Sequence, residues 1–299
     1  MSPGKLFWKA LEKERPLQIV GTVNALTALI AKKYGFRALY ISGAGVANTS
    51  YGLPDLAMTT LQDVCEDVRR ITSASDLPVL VDVDTGWGDV FMIGRTIKEM
   101  INAGAAACHL EDQVDTKRCG HRSGKVLVTA NEMTNRIKAA TDGRTKNSFI
   151  IMARTDAHAV EGLQAAIERS QRYVEAGADM IFAEALTSLE EYKKFTDTIS
   201  VPVLANITEF GKTPMFSIEE LNKAGIRMAL YPLSANRVMA AAAEKAYSTL
   251  RTEGTQKSIL NDMQTRDELY DLIGYHKYEK KLDILFSENK NKAEKKKSK

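Results

Sequence analysis

Short apolar runs of strand length recur along the chain, each followed by a polar stretch and then by a longer segment whose apolar positions have helical spacing. Eight such runs can be counted, at 18–23, 38–42, 79–84, 107–111, 149–154, 180–184, 201–206 and 227–231. Most are apolar on both faces, as parallel strands covered by helices should be. The segments 25–34, 60–74, 92–103, 130–140, 162–176, 188–198 and 217–224 read as the helices between them, with the Ala-rich 236–250 as the eighth. Ala103-Gly104-Ala105, Ala176-Gly177-Ala178 and Ala224-Gly225-Ile226 put Gly where a helix stops before the next strand. This alternation predicts an α/β fold, a (β/α)8 TIM-type barrel. A doubly wound open sheet is the alternative, weakened because Val23-Asn24-Ala25-Leu26 stands where a Gly-x-Gly-x-x-Gly turn would follow the first strand.

Both ends of the chain depart from the repeat. Residues 1–15 form an amphipathic pattern stopped by Pro16, an N-terminal helix that covers one end of the core. Beyond Gly254, the apolar positions Ile259, Met263, Leu269, Leu272 and Ile273, and then 280–286, predict a helical extension. A barrel whose eighth helix is already placed leaves that extension to dock on a neighbouring subunit. The expected organisation is one catalytic domain, 1–287, with the extension starting near residue 255 and a disordered Lys-rich tail at 288–299.

Composition narrows the function. The net charge is +3, but six Lys and one Glu in 289–299 carry that excess and leave the body mildly acidic, which argues against a broad nucleic-acid-binding face. Cys65, Cys108 and Cys119 are too few for a disulfide scaffold and lack C-x-x-C spacing. With no signal-like N-terminus and no apolar run long enough to span a bilayer, the expected location is the cytoplasm.

Reactive groups of such barrels sit at the carboxyl ends of the strands. Here those ends carry Tyr40, Ser42, Gly43 and Ala44; Asp82 and Asp84; Glu111 and Asp112; Arg154, Thr155 and Asp156; Glu184; Asn206, Thr208 and Glu209; and Pro232, Ser234 and Arg237. Asp82, Asp84 and Glu111 are oxygen donors suited to Mg²⁺ or Mn²⁺ rather than Zn²⁺. Arg154 and Arg237 are forked donors for carboxylate or phosphate, and backbone amides at 42–44 can cradle an anion. Together they suggest a small polyanionic substrate. The stretch Lys117-Arg118-Cys119-Gly120-His121-Arg122-Ser123-Gly124-Lys125 sets one thiol among five basic side chains, with glycines that suggest a movable loop. Neighbouring cations, His121 included, are expected to lower the cost of a Cys119 thiolate.

The motifs Val81-Asp82-Val83-Asp84-Thr85-Gly86-Trp87-Gly88, His109-Leu110-Glu111-Asp112-Gln113 and Lys117-Arg118-Cys119-Gly120-His121 with Gly124-Lys125 resemble, in that order, the isocitrate lyase/phosphoenolpyruvate mutase superfamily. Within it the chain is similar to the methylisocitrate-cleaving branch. It is shorter than isocitrate lyases, and it has the Cys-Gly-His that phosphonate-forming mutases generally lack. Ala44 departs from the third Gly of the family's Ser-Gly-Gly-Gly, which is tolerable if its φ is negative. The resemblance implies cleavage of 2-methylisocitrate to pyruvate and succinate in the methylcitrate cycle of propionate breakdown. It also implies Mg²⁺ on Asp82 and Asp84, a hydroxyl base that is either Tyr40 or Glu111, and Cys119 as proton donor assisted by His121. Ser42, Gly43, Ala44, Cys119, Gly120, Arg154, Glu184, Asn206, Thr208, Arg237 and Arg266 would bind substrate. A homotetramer exchanging C-terminal helices would be its assembly. The competing readings are a lyase for isocitrate, 2,3-dimethylmalate or oxaloacetate, and a non-catalytic carboxylate-binding barrel.

Overall fold

A computed structural model describes residues 1–297, with side chains to Ser287. Its eight parallel strands close into a barrel in chain order: β1 (Leu17–Gly21), β2 (Ala38–Ile41), β3 (Val79–Asp82), β4 (Ala107–Glu111), β5 (Ile150–Thr155), β6 (Met180–Ala183), β7 (Val203–Asn206) and β8 (Met228–Tyr231). β8 pairs back onto β1, with Leu230 beside Ile19, so the sheet is closed and the open-sheet alternative is excluded. Each strand lies within two residues of its predicted run.

The helices begin and end for local reasons. Asn24, Thr60 and Ser217 each cap a helix with a reciprocal capping box. Gly104 and Gly177 follow helices at φ 94° and 111°, where a Cβ would be strained, as the Ala-Gly-Ala endings predict.

Period-two alternation splits the strands into two sets. Leu39, Ile41, Val79, Val81, Cys108, Leu110, Ile151 and Ile181 pack outward in the large core beneath the helices. Leu17, Ile19, Tyr40, Leu80, Met152, Met180, Phe182, Leu204, Met228 and Leu230 fill the barrel interior. The N-terminal helix Pro3–Lys13 adds Phe7, Ala10 and Leu11 to that inner cluster, which closes one end of the barrel with apolar side chains.

The chain divides into two compact units, Met1–Ala240 and one beginning at Ala241. The division falls inside the helix Ser234–Glu253, ahead of the expected start of the extension. The second unit contains helix Arg266–Ile273, which stops at Gly274 in the left-handed region, and helix Tyr275–Lys297. This last helix takes in 288–297, expected as disordered tail, where Lys, Glu and Ala are helix formers and neither Gly nor Pro interrupts. Residues 298–299 of that expected tail lie outside the described residues. Among the described residues no helix is long and apolar enough to cross a membrane.

Candidate active site

The inward-facing strand residues become polar towards the carboxyl ends. Leu80 is followed two residues later by Asp82, Ala107 by His109 and then Glu111, Met152 by Arg154, Phe182 by Glu184, and Leu204 by Asn206. With Tyr40, Ser42, Ala44, Thr208, Pro232 and Arg237, the ends at Asp82, Arg154, Glu184 and Asn206 surround a cavity of about 200 Å³. A larger groove of about 570 Å³ lies between the helices Leu189–Thr198 and Ile218–Lys223. It is lined mainly by surface Lys and Glu and gathers no buried reactive groups, so the chemistry points to the smaller one.

Asp82 and Asp84 stand side by side. The Gly43 amide donates to Asp82 Oδ2 at 3.0 Å and the Asp84 amide to Asp82 Oδ1 at 3.1 Å. Asp84 adopts φ 46°, a left-handed turn that Asp tolerates, and this brings its carboxylate beside that of Asp82. A Cβ placed on Gly43 would lie 3.1 Å from Asp82 Oδ2 and 3.2 Å from Asp84 Oδ1, so one oxygen of each converges on the same small space. Burial and then the Asp82 charge push Asp84 up to about 6. A cation belongs there, and the Lys117 ammonium reaches it, 2.9 Å from Asp84 Oδ1 with Asp55 on its other side. The oxygen-only donors fit a hard divalent ion. Among the described residues no three Asp, Glu, His or Cys groups converge on one point, so water or substrate oxygens would complete its shell.

Arg154 is ringed by three carboxylates, its Nε 2.9 Å from Asp156 and 3.3 Å from Glu111, and its Nη2 3.2 Å from Glu184. The guanidinium also lies over the Phe182 ring at 5.1 Å. Against its burial, Arg154, His121 and Lys125 hold Glu184 far below the usual carboxylate range. Glu111 goes the other way: burial raises it well above that range despite Arg154, and its Oε1 has no hydrogen-bond partner. Tyr40 and His109 stack, with Tyr40 Oη 2.9 Å from His109 Nε2. Burial, then Asp82, raises the Tyr40 phenol well above its ordinary value, and burial depresses His109 to about 4.

The basic loop folds over this floor. Gln113 clasps Arg118 through both backbone groups, with Nε2 to the carbonyl at 2.9 Å and Oε1 accepting from the amide at 3.0 Å. A Cβ on Gly120 would collide with Arg154 and Glu184, so the close approach of the loop requires that glycine. His121 Nε2 is 3.0 Å from Glu184, while its Nδ1 accepts from the Lys212 amide at 3.0 Å. An accepting Nδ1 carries no proton, so this ring is the neutral Nε2–H tautomer.

That arrangement corrects the expected tuning of Cys119. Lys117 is committed to Asp55 and Asp84, Lys125 to Asp156, and His121 is neutral on Glu184. Cys119 keeps an exposed flank, yet the protein packed around it pushes its thiol pKa up, opposed by the His121 amide and by Arg154.

Most of the expected residues meet at one place. Tyr40, Ser42, Ala44, Asp82, Cys119, Gly120, His121, Arg154, Glu184, Asn206, Thr208 and Arg237 all line the cavity. Ala44 sits in the short helical turn Gly43–Gly45 and its φ is not positive, so the departure from Gly is accommodated. Gly43, Asp84 and Glu111 do not line it; each is one contact removed, through Asp82, Lys117 and Arg154 respectively. Arg266 opens a helix of the second unit. Sequence reasoning passed over Asp55 and Phe182 as cavity walls. The signal for Asp55 was the long connection after β2, since barrel loops at this end carry function.

The model of the phosphoenolpyruvate phosphomutase family matches residues 7–251. The chain is 60% identical to the 2-methylisocitrate lyase of Escherichia coli (strain K12), over 96% of this chain and 97% of that protein. The crystal structure of 2,3-dimethylmalate lyase, a PEP mutase/isocitrate lyase superfamily member, is similar at TM-score 0.86 and 34% identity, covering 94% of each chain. A phosphonopyruvate hydrolase complex with oxalate and Mg²⁺ is similar at TM-score 0.81 and 25% identity, covering 93% of this chain and 97% of that one. The chain belongs to the phosphoenolpyruvate phosphomutase family, within the PEP mutase/isocitrate lyase superfamily.

Proposed function

We propose that this family member is a carbon–carbon lyase cleaving 2-methylisocitrate to pyruvate and succinate, with Cys119 as the acid. The observation that carries the reading is that the loop brings Cys119 to the same small cavity in which Tyr40, Asp82, Arg154 and Glu184 end. Likeness to the Escherichia coli 2-methylisocitrate lyase over nearly the whole of both chains supports this choice of substrate.

In the cleavage direction the C2 hydroxyl loses its proton, the C2–C3 electron pair moves to C3 as C2 becomes the carbonyl of pyruvate, and the Cys119 thiol protonates C3 to give succinate. Of the two candidate bases, Tyr40 reaches the cavity and Glu111 does not; its buried phenol keeps its own proton, so Tyr40 would receive the hydroxyl proton only while passing its own to His109 Nε2, 2.9 Å away. A divalent cation, Mg²⁺ or Mn²⁺, would be held by Asp82 and Asp84, where it would supply charge neutralisation and lower the pKa of that hydroxyl. Arg154, Asn206 and Thr208 meet the charge gathering on the carboxylate conjugated with C3. Ser42, Gly43, Ala44 and Gly120 offer amides and small contacts, Arg237 a guanidinium at the rim, and Arg266 completes the proposed substrate set. The raised pKa of Cys119 suits this direction, because a thiol that stays protonated has a proton to give. Loop closure excludes water that would otherwise quench the carbanion.

For the assembly we propose a cytoplasmic homotetramer with exchanged C-terminal helices. Tyr275, Tyr278, Leu282 and Leu285 recur at helical spacing on the last helix and are all exposed, a stripe that needs a cover. Light scattering at the monomer mass would refute this assembly.

The deciding experiment compares kcat/KM for 2-methylisocitrate, isocitrate and 2,3-dimethylmalate by pyruvate or glyoxylate release. The highest value is expected for 2-methylisocitrate. A higher value for another substrate would move the enzyme to that substrate, and no cleavage of any would leave an oxaloacetate-cleaving enzyme or a carboxylate-binding barrel.

A further inference from the structure

Lys125 lies at the base of the loop and does not line the cavity. Its backbone neighbours are fixed: the Val114 amide donates to the Val126 carbonyl at 3.0 Å, Val128 to Asp112 at 2.9 Å, and Gln113 bridges Leu127. From that rigid neck the buried ammonium donates to the Gly120 carbonyl at 2.6 Å and to Asp156 Oδ1 at 2.7 Å. Asp156 is fully buried and also fixes Arg154, receiving its Nε at 2.9 Å and its Nη2 at 3.3 Å. The Asp156 amide is itself held by Asp112 Oδ1 at 2.8 Å, and Asp112 takes Tyr173 Oη at 2.9 Å. A single ammonium therefore joins the movable part of the loop, at the residue next to Cys119, to the carboxylate that orients the substrate-binding arginine.

We propose that Lys125 is a positioning residue that sets the Cys119 loop and Arg154 in one register. It touches neither cavity nor substrate, and acts by holding the acid at a fixed place relative to the guanidinium that receives the substrate. The proposal rests on the reading of Cys119 as the acid. Its principal test, however, measures the loop and not the reaction, so the two can fail separately.

In Lys125→Met the amides of 117–124 should exchange hydrogen for deuterium faster than in the wild type by roughly tenfold, while the strand amides keep their rates. With 2-methylisocitrate, kcat should fall about 100-fold with KM within a few-fold, since a misplaced acid slows the chemistry more than binding. Lys125→Arg, which keeps charge and donors, should recover most of both effects. If Lys125→Met does not fold, Lys125→Gln still offers a donor to the Gly120 carbonyl but no charge to Asp156, and faster loop exchange is expected there too. Wild-type loop exchange in a folded Lys125→Met or Lys125→Gln protein would overturn the proposal. So would Lys125→Arg behaving like Lys125→Met.

Discussion

Arg154 and Cys119 face the same cavity, but different forces hold them there. Arg154 ends an inward-facing strand set whose lower member, Met152, is locked in the apolar barrel interior, and three carboxylates pin its guanidinium. Cys119 belongs to a loop with little apolar anchorage, held down by Gln113 on Arg118, Lys117 on Asp84, His121 on Glu184 and Lys125 on Asp156. The strand half is assembled when the barrel folds; the loop half is closed by polar contacts that can be exchanged for water. Damage to the strand half should therefore appear as lost stability and binding, and damage to the loop half as lost turnover.

Cys119→Ser should break that comparison if it is wrong. A serine hydroxyl is a far weaker acid in the same place, so kcat should fall about 10³-fold or more while thermal unfolding stays unchanged. Substrate binding by calorimetry should remain within a few-fold of wild type. Turnover within a few-fold of wild type would mean that the proton comes from another group.

Arg154→Met tests the other half. It leaves Asp156, Glu111 and Glu184 as buried carboxylates around an apolar side chain, and removing one partner of a buried ionic cluster costs about 3–5 kcal/mol. Denaturant titration should show that loss, and substrate binding should weaken with it. The pH dependence has a defined sign. In the wild type Glu184 is held far below its unfolded value, so its contribution is present above the unfolded carboxylate pKa of about 4.3 and lost as pH falls through the depressed folded value. The variant lacks much of that contribution, so its deficit should be largest near neutrality and shrink in acid. An equal deficit at all pH values would mean that packing, not charge, is what Arg154 supplies.

The same contrast explains what was legible in the sequence. The barrel, its strand limits and the polar strand ends follow from period-two alternation and from Gly at helix ends, which are local signals. Asp82, Arg154, Glu184 and Asn206 could be named because the strands aim them. The loop was legible only as chemistry. Nothing local says that Lys117 reaches Asp55 and Asp84, or that Lys125 reaches Asp156, 31 residues away. Reading the loop's charges as free led to the opposite sign for the Cys119 thiol. For Lys117, His121 and Lys125 the outcome was decided by long-range pairing with carboxylates, whereas Arg118 turns to the Ser123 carbonyl within the loop.

Asp82→Ala addresses the junction of the two halves, because Asp82 takes the Gly43 amide and stands beside the Asp84 that Lys117 reaches. Activity should drop about 100-fold, and EDTA should bring the wild type down by a similar factor. Restoring the wild type with Mg²⁺ and with Mn²⁺ in parallel would identify the preferred ion. Activity undiminished by both the substitution and the chelator would remove the cation from the mechanism.

The smallest expected effect concerns specificity, at the end of β8. Leu230 is fully buried in the barrel interior and Pro232 lines the cavity. The backbone there has no freedom to retreat: a Cβ on Gly21 of β1 would run into the Pro232 carbonyl. Added bulk at the end of β8 is therefore pressed inward, towards the space for the substrate's extra methyl. Leu230→Phe combined with Pro232→Thr should shift the ratio of kcat/KM for 2-methylisocitrate over isocitrate towards isocitrate by about 1–3 kcal/mol, the range one methyl-sized group commands. Measured in competition in one reaction, the ratio does not depend on enzyme concentration or folded fraction. A ratio unchanged while kcat/KM for both substrates falls together would mean that the β8 end shapes the site as a whole, and that the methyl is accommodated against Phe182 or the loop instead.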